Sequence, residues 1–316
     1  MTKYKLFDHS DLKKYKVADR NSKISVADFA KVTETNITDF ISCLPNILKG
    51  KDFSELIEKT ALAFLSKKPI IIGLGGHIIK VGLAPLIIEM MRLGAIQGIC
   101  VNGSVVIHDF EVASHGCTSE EVAEGIEDGS FGMASDTCDV INEIITAASG
   151  EQLGYGEAIG KYLFEKKDLF NPQLSILRSA FEMNIPVTVH IAIGTDIVHQ
   201  HKTANGKAIG DCSYRDFLIL ANLVSQLHQG GVFINFGSAV IIPEVFLKAL
   251  TMCRNKAEVT NFTTAVFDMN YQYRSATNIT QRPVQNSGAG YYFVGHHEIM
   301  VPLFWAGVRN KLEIRN

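Results

Sequence analysis

The spacing of apolar residues along the chain changes at residue 69. Beyond it, short runs that are apolar throughout alternate with longer segments in which apolar residues recur at helical spacing. The short runs predict strands at residues 69–74, 96–101, 185–193, 231–236, 263–269 and 291–294. The longer segments predict helices at residues 81–92, 171–183, 214–228, 243–254 and 301–308. Fully apolar strands alternating with helices are typical of an α/β fold, here a doubly wound and mostly parallel sheet.

The two ends of this pattern differ. Residues 1–68 show helical spacing only, clearest at 53–66, so we predict a helical N-terminal extension followed by one α/β domain over 69–316. Six glycines interrupt the region 114–155, which predicts helices within a long excursion from the sheet. Such excursions are common places for active-site loops.

Two polar turns follow the first two predicted strands. Gly75-Gly76-His77 ends the first strand, and Asn102-Gly103-Ser104 ends the second. Ligands of open α/β sheets bind at the carboxyl ends of the strands, and glycine turns that lead into helices suit the phosphates of a nucleotide. Residues 70–111 therefore predict a βαβ nucleotide-binding unit, although its first turn lacks the G-x-G-x-x-G spacing.

Other predicted strand ends carry small, polar or titratable residues as well. These are His108, Asp109, Asp196, His199, His201, Gly237, Ser238, Asp268, Asn270, Gln272, His296, His297 and Glu298. Simpler interpretations stay open for some of them. His108-Asp109 could cap the following helix, and Asp196 could cap a helix or a turn.

The paired histidines are ambiguous. His199 and His201 share one face of an extended segment, but no third ligand is evident, so we predict no metal site. His296 and His297 cannot face one direction in a strand, so one of them is structural or faces solvent.

Composition excludes several classes of protein. The 316 residues carry a net charge of −3, so no basic surface indicates nucleic-acid binding. The first ten residues have no apolar core of a signal peptide, and no apolar run approaches the ~18–20 residues of a membrane span. Six scattered cysteines without a C-x-x-C pair predict buried thiols in a reducing cytoplasm.

The polar strand ends, taken in order, resemble deoxyhypusine synthase. The similarity covers about residues 69–308 and is carried by GLGGHIIKVG, VNGSVVIHD, PVTVHIAIGTD, FINFGSAVIIPEVF, AVFDMNYQYRSATNITQRP and GHHEIMVPLFWAG. It implies a Rossmann-like NAD-binding domain of that family's type. It also implies a homotetramer built from two tight dimers, with NAD and the active sites at the dimer interface.

The resemblance further implies the residues that contact the cofactor. They are Gly76, His77, Asn102, Gly103, Ser104, Asp109, Gly237, Asn270 and His296, with Asp196 beside them. Members of this family oxidise spermidine with NAD and move the aminobutyl group onto an enzyme lysine as an imine. They then pass the group to a lysine of a translation factor.

The sequence departs from the family where that covalent chemistry occurs. Tyr291 stands at the position of the imine-forming lysine, and no lysine lies between Lys256 and Lys311. Tyrosine cannot form an imine. Ala289 replaces the tryptophan that packs on the polyamine, and His108 replaces an acidic residue. A family glutamate becomes Gln285, and the family's histidine after its glycine turn is also missing.

Three hypotheses follow. The first is an NAD-dependent enzyme that acts on an amine or an alcohol, with His108, Asp196, His199 and Tyr291 as candidate catalytic groups. The second is a deoxyhypusine or homospermidine synthase that uses another lysine, for which Lys80 is the candidate. The third is a non-catalytic NAD-binding oligomer. No nucleic-acid or membrane partner is expected under any of them.

Overall fold

The computed structural model describes residue 41 and residues 43–315. The helices predicted before residue 41 therefore lie outside the described residues, and the domain boundary at residue 68 stays a prediction. Residues from Phe53 onward form one compact unit.

The described residues form an alternating α/β structure. Its strands are β1 (Ile70–Leu74), β2 (Gly98–Asn102), β3 (Val187–His190), β4 (Val232–Phe236), β5 (Thr263–Asp268) and β6 (Ala289–Val294). Its main helices are α1 (Leu48–Leu65), α2 (His77–Lys80), α3 (Ala84–Arg92), α4 (Gly103–His115), α5 (Val122–Asp128), α6 (Ser135–Glu151), α7 (Tyr155–Glu165), α8 (Ile176–Glu182), α9 (Gly206–Ser225), α10 (Ile241–Lys256) and α11 (His297–Arg315).

All six strands pair in parallel, in the order β3-β2-β1-β4-β5-β6. The chain therefore builds outward from β1 in one direction through β3, then crosses back to begin the other half at β4. The connections that follow β1 and β4 leave the sheet to opposite sides of this switch point, which opens a crevice at the carboxyl ends of the two strands. The predicted doubly wound parallel sheet is confirmed.

The differences from the predicted elements have local causes. The predicted helix 81–92 begins later, at Ala84, and the short helix α2 precedes it, because Gly82 adopts a left-handed φ of +77° between α2 and α3. The predicted strand 185–193 ends at His190, and the apolar residues beyond it form a turn. The excursion 114–155 is mostly helical and contains α5 and α6.

Aromatic side chains cover both faces of the sheet. Phe233 of β4 stacks on Phe246 of α10, with the ring centroids 3.9 Å apart. Phe267 of β5 packs against Phe53, Phe293 and Phe304, which belong to α1, β6 and α11. These contacts anchor the strands on both sides of the switch point, so the loops at their carboxyl ends rest on a rigid support.

None of the described helices is long and apolar enough to cross a membrane. Cys100, Cys138, Cys212 and Cys253 are buried, as predicted, whereas Cys117 is exposed.

Candidate functional site

The backbones that follow β1 and β4 touch at the switch point. A Cβ atom on Gly75 would lie 2.2 Å from the carbonyl oxygen of Gly237, so no other residue fits at position 75 without moving one strand end. Gly237 itself has a φ of +70° and lies against the ring of His297, whose Cε1 atom would be 2.8 Å from a Cβ there. Glycine at these two positions lets the two strand ends and the His297 ring pack in close contact.

The turns after β1 and β2 lie side by side, as predicted. A Cβ atom on Gly76 would meet Ser104 Oγ at 2.5 Å and His108 Cδ2 at 3.1 Å. Ser104 Oγ donates a hydrogen bond to Asn102 Oδ1 over 2.9 Å. Four predicted site residues therefore lie together on one surface formed by the turn after β1, the end of β2 and the first two turns of α4.

Asp196 and His199 extend this surface from the loop after β3. The Asp196 side chain caps the short 3-10 helix Ile197–Gln200, and His199 Nδ1 accepts hydrogen bonds from the backbone N–H groups of Gly194 and Asp196. A Cβ atom on Gly103 would lie 2.2 Å from Asp196 Oδ2. The capping interpretation of Asp196 is confirmed, and the carboxylate also reaches the turn after β2.

Two polar atoms of this loop have unmet hydrogen-bonding capacity. Asp196 Oδ2 and His199 Nε2 are buried and make no hydrogen bond with any residue that the structure describes. Burial raises the pKa of Asp196 to about 6 and lowers the pKa of His199. Buried polar atoms without partners are rare in folded proteins, and a bound ligand is one way to satisfy them.

His108 lies on α4 and faces the turn after β1. Its Nδ1 atom is 2.7 Å from Thr118 Oγ1, so its Nε2 atom is left for a ligand. Burial and the charge of Lys80 lower the pKa of His108 to about 4, which makes the ring neutral at pH 7. It does not cap the following helix, because it lies in the middle of α4.

Asp109 requires a correction. It was predicted to contact NAD, but its side chain is fully buried and points away from the crevice into the core. Its carboxylate accepts hydrogen bonds from Ser175 Oγ and from the backbone N–H groups of Ile176 and Leu177, at 2.5, 2.7 and 3.2 Å. It therefore caps α8, the role that carboxylates play at helix N-termini.

Tyr291 requires a second correction. It lies inside β6 opposite Ala265, three residues before the carboxyl end of the strand, and its side chain is buried. Its hydroxyl group donates a hydrogen bond to Glu55 Oε2 of α1 over 3.0 Å. Tyr291 therefore packs in the core and does not join the candidate catalytic groups at the strand ends.

The two neighbouring histidines differ in burial. His296 is exposed, with Nδ1 3.7 Å from Glu298 Oε1, whereas His297 is buried against Gly237 and the ring of His77. His297 Nε2 is 3.2 Å from the carbonyl oxygen of Phe267, and burial lowers the pKa of His297. The cofactor contact assigned to His296 stays a prediction, and His297, the first residue of α11, is the member of the pair that packs against Gly237.

Asn270 and His201 lie outside the cluster. Asn270 is exposed beyond β5, where its carbonyl oxygen accepts a hydrogen bond from the Tyr292 hydroxyl group. His201 contacts the carbonyl oxygen of Gly132 and the carboxylate of Asp139, so it does not pair with His199. Among the described residues, no group of three or more His, Cys, Asp or Glu side chains could hold a metal ion.

Comparison with known proteins identifies the fold. No model of a known protein family and no curated protein sequence matches the chain. Solved structures do. Apo ArgZ, an arginine dihydrolase from the ornithine–ammonia cycle in cyanobacteria, gives a TM-score of 0.52 and 13% identity over 83% of this chain and 33% of that chain. Unliganded AgrE gives a TM-score of 0.51 and 10% identity over 84% of this chain and 33% of that one.

A protein from Entamoeba histolytica, classed provisionally as a deoxyhypusine synthase, gives a TM-score of 0.50 and 11% identity over 87% of this chain and 94% of that chain. The fold is that of deoxyhypusine synthase. At such low identities the likeness extends to the fold alone. The chain spans about a third of the length of ArgZ and AgrE, and nearly the whole of the Entamoeba protein.

Proposed function

We propose that the chain binds NAD in the switch-point crevice and oxidises a small amine or alcohol there. The observation that carries this proposal is the buried Asp196 Oδ2 atom, which has no hydrogen-bond partner among the described residues and lies at the Gly103 turn. In dinucleotide-binding folds, a carboxylate near the end of the second strand accepts a hydrogen bond from a ribose hydroxyl group. Here β2 ends in Asn102, and the carboxylate is that of Asp196, in the loop after the neighbouring strand β3.

The rest of the crevice fits a dinucleotide as well. Gly75, Gly76 and Gly237 let the two strand ends, Ser104 and the His297 ring pack closely around the crevice, and Ser104 and Asn102 carry polar groups there. The rings of His77 and His297 lie 5.5 Å apart at the β4 side of the crevice. NAD, when bound, supplies an acceptor for the hydride that leaves the substrate carbon.

His108 is the proposed base. Oxidation of an amine or alcohol releases a proton from nitrogen or oxygen together with the hydride from carbon. The His108 ring is neutral at pH 7, so it has a lone pair to accept that proton, and its Cδ2 edge faces the Gly76 turn. Tyr291 has no part in this proposal, because its hydroxyl group is bound to Glu55 in the core.

The first experiment separates binding from chemistry. NAD affinity is measured by calorimetry, and NADH formation by absorbance, with panels of amines and alcohols. We expect NAD binding by the native chain, and NADH formation with at least one substrate. His108→Gln should retain NAD binding and lose turnover by about 10²-fold or more. Absence of NAD binding by the native chain would contradict the proposal. Binding without turnover would favour the non-catalytic oligomer.

A second candidate function rests on Lys80. This exposed lysine follows the Gly76 turn at the end of α2, near enough to His108 for its charge to lower the pKa of that histidine. A carbonyl or imine product formed in the crevice could condense with its amine. Borohydride reduction during turnover would then leave an adduct on the native chain and none on Lys80→Ala. Lys256→Ala, at the exposed end of α10, is the matched control, and an adduct that survives Lys80→Ala would exclude this candidate.

The homotetramer stays a prediction, which light scattering from the purified full chain tests directly.

A further inference from the structure

One face of α4 carries a row of polar side chains. Ser104, His108 and Glu111 are spaced by four and three residues, so they lie on the same side of the helix. Gly116 ends α4 in the left-handed conformation, with a φ of +76°. The chain then turns back, and Thr118 lies beside this row although it follows the helix in sequence.

Thr118 bridges His108 and Glu111. Its hydroxyl oxygen is 2.7 Å from His108 Nδ1 and 2.5 Å from Glu111 Oε2. Thr137 of α6 donates a further hydrogen bond to Glu111 Oε1 over 3.3 Å. An ionised carboxylate only accepts hydrogen bonds, so the single hydroxyl proton of Thr118 goes to Glu111. The Thr118 oxygen can then only accept from His108, and Nδ1 must carry the proton.

We propose that Thr118 and Glu111 are positioning residues that hold His108 as the Nδ1–H tautomer and direct the Nε2 lone pair toward the Gly76 turn. The ring geometry agrees with this direction, because Cδ2, which is bonded to Nε2, is the ring atom nearest to Gly76. The inference rests on the proposed function, in which His108 is the base, and it names the groups that prepare that base. A base held in the wrong tautomer cannot accept the substrate proton, however close it lies.

Two charges act on the ring from the elements around it. Lys80, from α2, disfavours the imidazolium form, whereas the Glu111 carboxylate, reached through Thr118, favours it. Burial, together with Lys80, keeps the ring neutral at pH 7. The tautomer of the neutral ring then decides which nitrogen can accept a proton.

The tautomer can be read without any substrate. The full-length chain is labelled with ¹⁵N-histidine, and the ring nitrogens are observed by two-bond ¹H–¹⁵N correlation at pH 7. The signals that vanish in His108→Gln identify His108. In the native chain we expect Nδ1 to be protonated and Nε2 to be the unprotonated nitrogen. Nε2 protonation in the native chain overturns the inference.

Four variants test the two positioning residues. Thr118→Val keeps the shape and removes the hydroxyl group, so the Nε2–H tautomer should become populated, whereas Thr118→Ser should restore the native spectrum. Glu111→Met removes the acceptor, so Thr118 can donate to Nδ1, and the same change of tautomer should follow. Glu124→Met, on the exposed side of α5, is the matched control and should leave the spectrum unchanged. A Thr118→Val spectrum identical to the native one contradicts the inference.

The same set of variants separates this inference from the proposed function. Thr118→Val should lower kcat at least tenfold with little change in NAD affinity, and Thr118→Ser should recover most of it. If the native tautomer is Nδ1–H but NAD does not bind, the proposed function fails and the positioning role of Thr118 and Glu111 stands. If NAD binds and turns over with His108 as the Nε2–H tautomer, the inference and the role of His108 as the base fail, whereas NAD-dependent oxidation in the crevice stands.

Discussion

Two carboxylates near the carboxyl edge of the sheet differ in how many of their oxygen atoms accept hydrogen bonds. Asp109 accepts three hydrogen bonds, from Ser175, Ile176 and Leu177, and both of its oxygens are used. Asp196 caps a single helical turn and leaves Oδ2 buried with no partner in the described part of the chain. The pKa of each is raised by burial to about 6. The pKa alone therefore does not distinguish a structural carboxylate from one that has an oxygen left to bind a ligand, whereas the number of hydrogen bonds does.

The sharpest test of this comparison is removal of the Asp109 carboxylate. Asp109→Ala leaves a buried hydroxyl group and two buried N–H groups without an acceptor, so the free energy of unfolding should fall by about 3–5 kcal/mol. Urea denaturation measures the change. Asp168→Ala, at an exposed carboxylate, should cost less than about 0.5 kcal/mol. A loss below about 1 kcal/mol for Asp109→Ala would contradict the structural role.

The pH dependence of stability gives a second test at the same residue. The pKa of Asp109 is higher in the folded chain, at about 6, than its ordinary value of 3.8. The folded state therefore holds this proton more tightly, and the stabilisation that it brings is complete below pH 4 and lost as the pH rises through 6. The expected loss from this one group is at most about 3 kcal/mol.

Asp109→Asn isolates that contribution. Burial also raises the pKa values of Asp196 and Asp216, to about 6 and about 7. Their contributions to the change of unfolding free energy with pH are the same in the native chain and in Asp109→Asn, so they cancel when the two are compared. The free energy of unfolding of the native chain, measured relative to that of Asp109→Asn, should therefore rise by up to about 3 kcal/mol as the pH falls from 7.5 to 4. Parallel curves would refute the raised pKa of Asp109.

Asp196 should show the opposite balance between binding and stability. Asp196→Asn can retain the cap, but it replaces a charged acceptor, so NAD affinity should fall about 10–100-fold, which corresponds to about 1.5–3 kcal/mol. The free energy of unfolding in the absence of NAD should change by less than about 1 kcal/mol. Calorimetry and urea denaturation of the same preparation give both quantities. Unchanged NAD affinity would remove the reason to place the ribose at Asp196.

The smallest effect is expected at Tyr291. Tyr291→Phe removes one hydrogen bond to Glu55, so the free energy of unfolding should fall by about 1 kcal/mol. NAD affinity and turnover should stay as in the native chain, because the hydroxyl group lies in the core. A loss of turnover without a loss of stability would return Tyr291 to the list of catalytic candidates.

The sheet could be predicted from the sequence because every strand is buried on both faces. Such strands are continuous apolar runs, and polar turns mark where each one leaves the sheet. The error at β3 has the same origin, since Ile191 and Ile193 continue the apolar run although the chain has already turned. The break between α2 and α3 at Gly82 was not predicted, because apolar residues continue at helical spacing across it.

The turns Gly76–His77 and Asn102–Ser104 could also be predicted, since they follow strands that are adjacent in the sheet. The direction of single side chains could not. Asp109 is next to His108 on α4, but one step along a helix turns a side chain by about 100°, from the crevice to the core. The same step separates exposed His296 from buried His297. Thr118 joins the site only because Gly116 reverses the chain, which no spacing rule reveals.

The position of α11 has a practical consequence. Its first residue, His297, lies against Gly237 in the crevice, and Trp305, the only tryptophan of the chain, lies about 12 Å further along the same helix. Its indole N–H donates a hydrogen bond to Glu89 of α3 over 2.8 Å, which fixes the ring against that helix. The protein thus carries its own optical probe: resonance energy transfer from Trp305 to a reduced nicotinamide would report occupancy of the crevice in unlabelled protein.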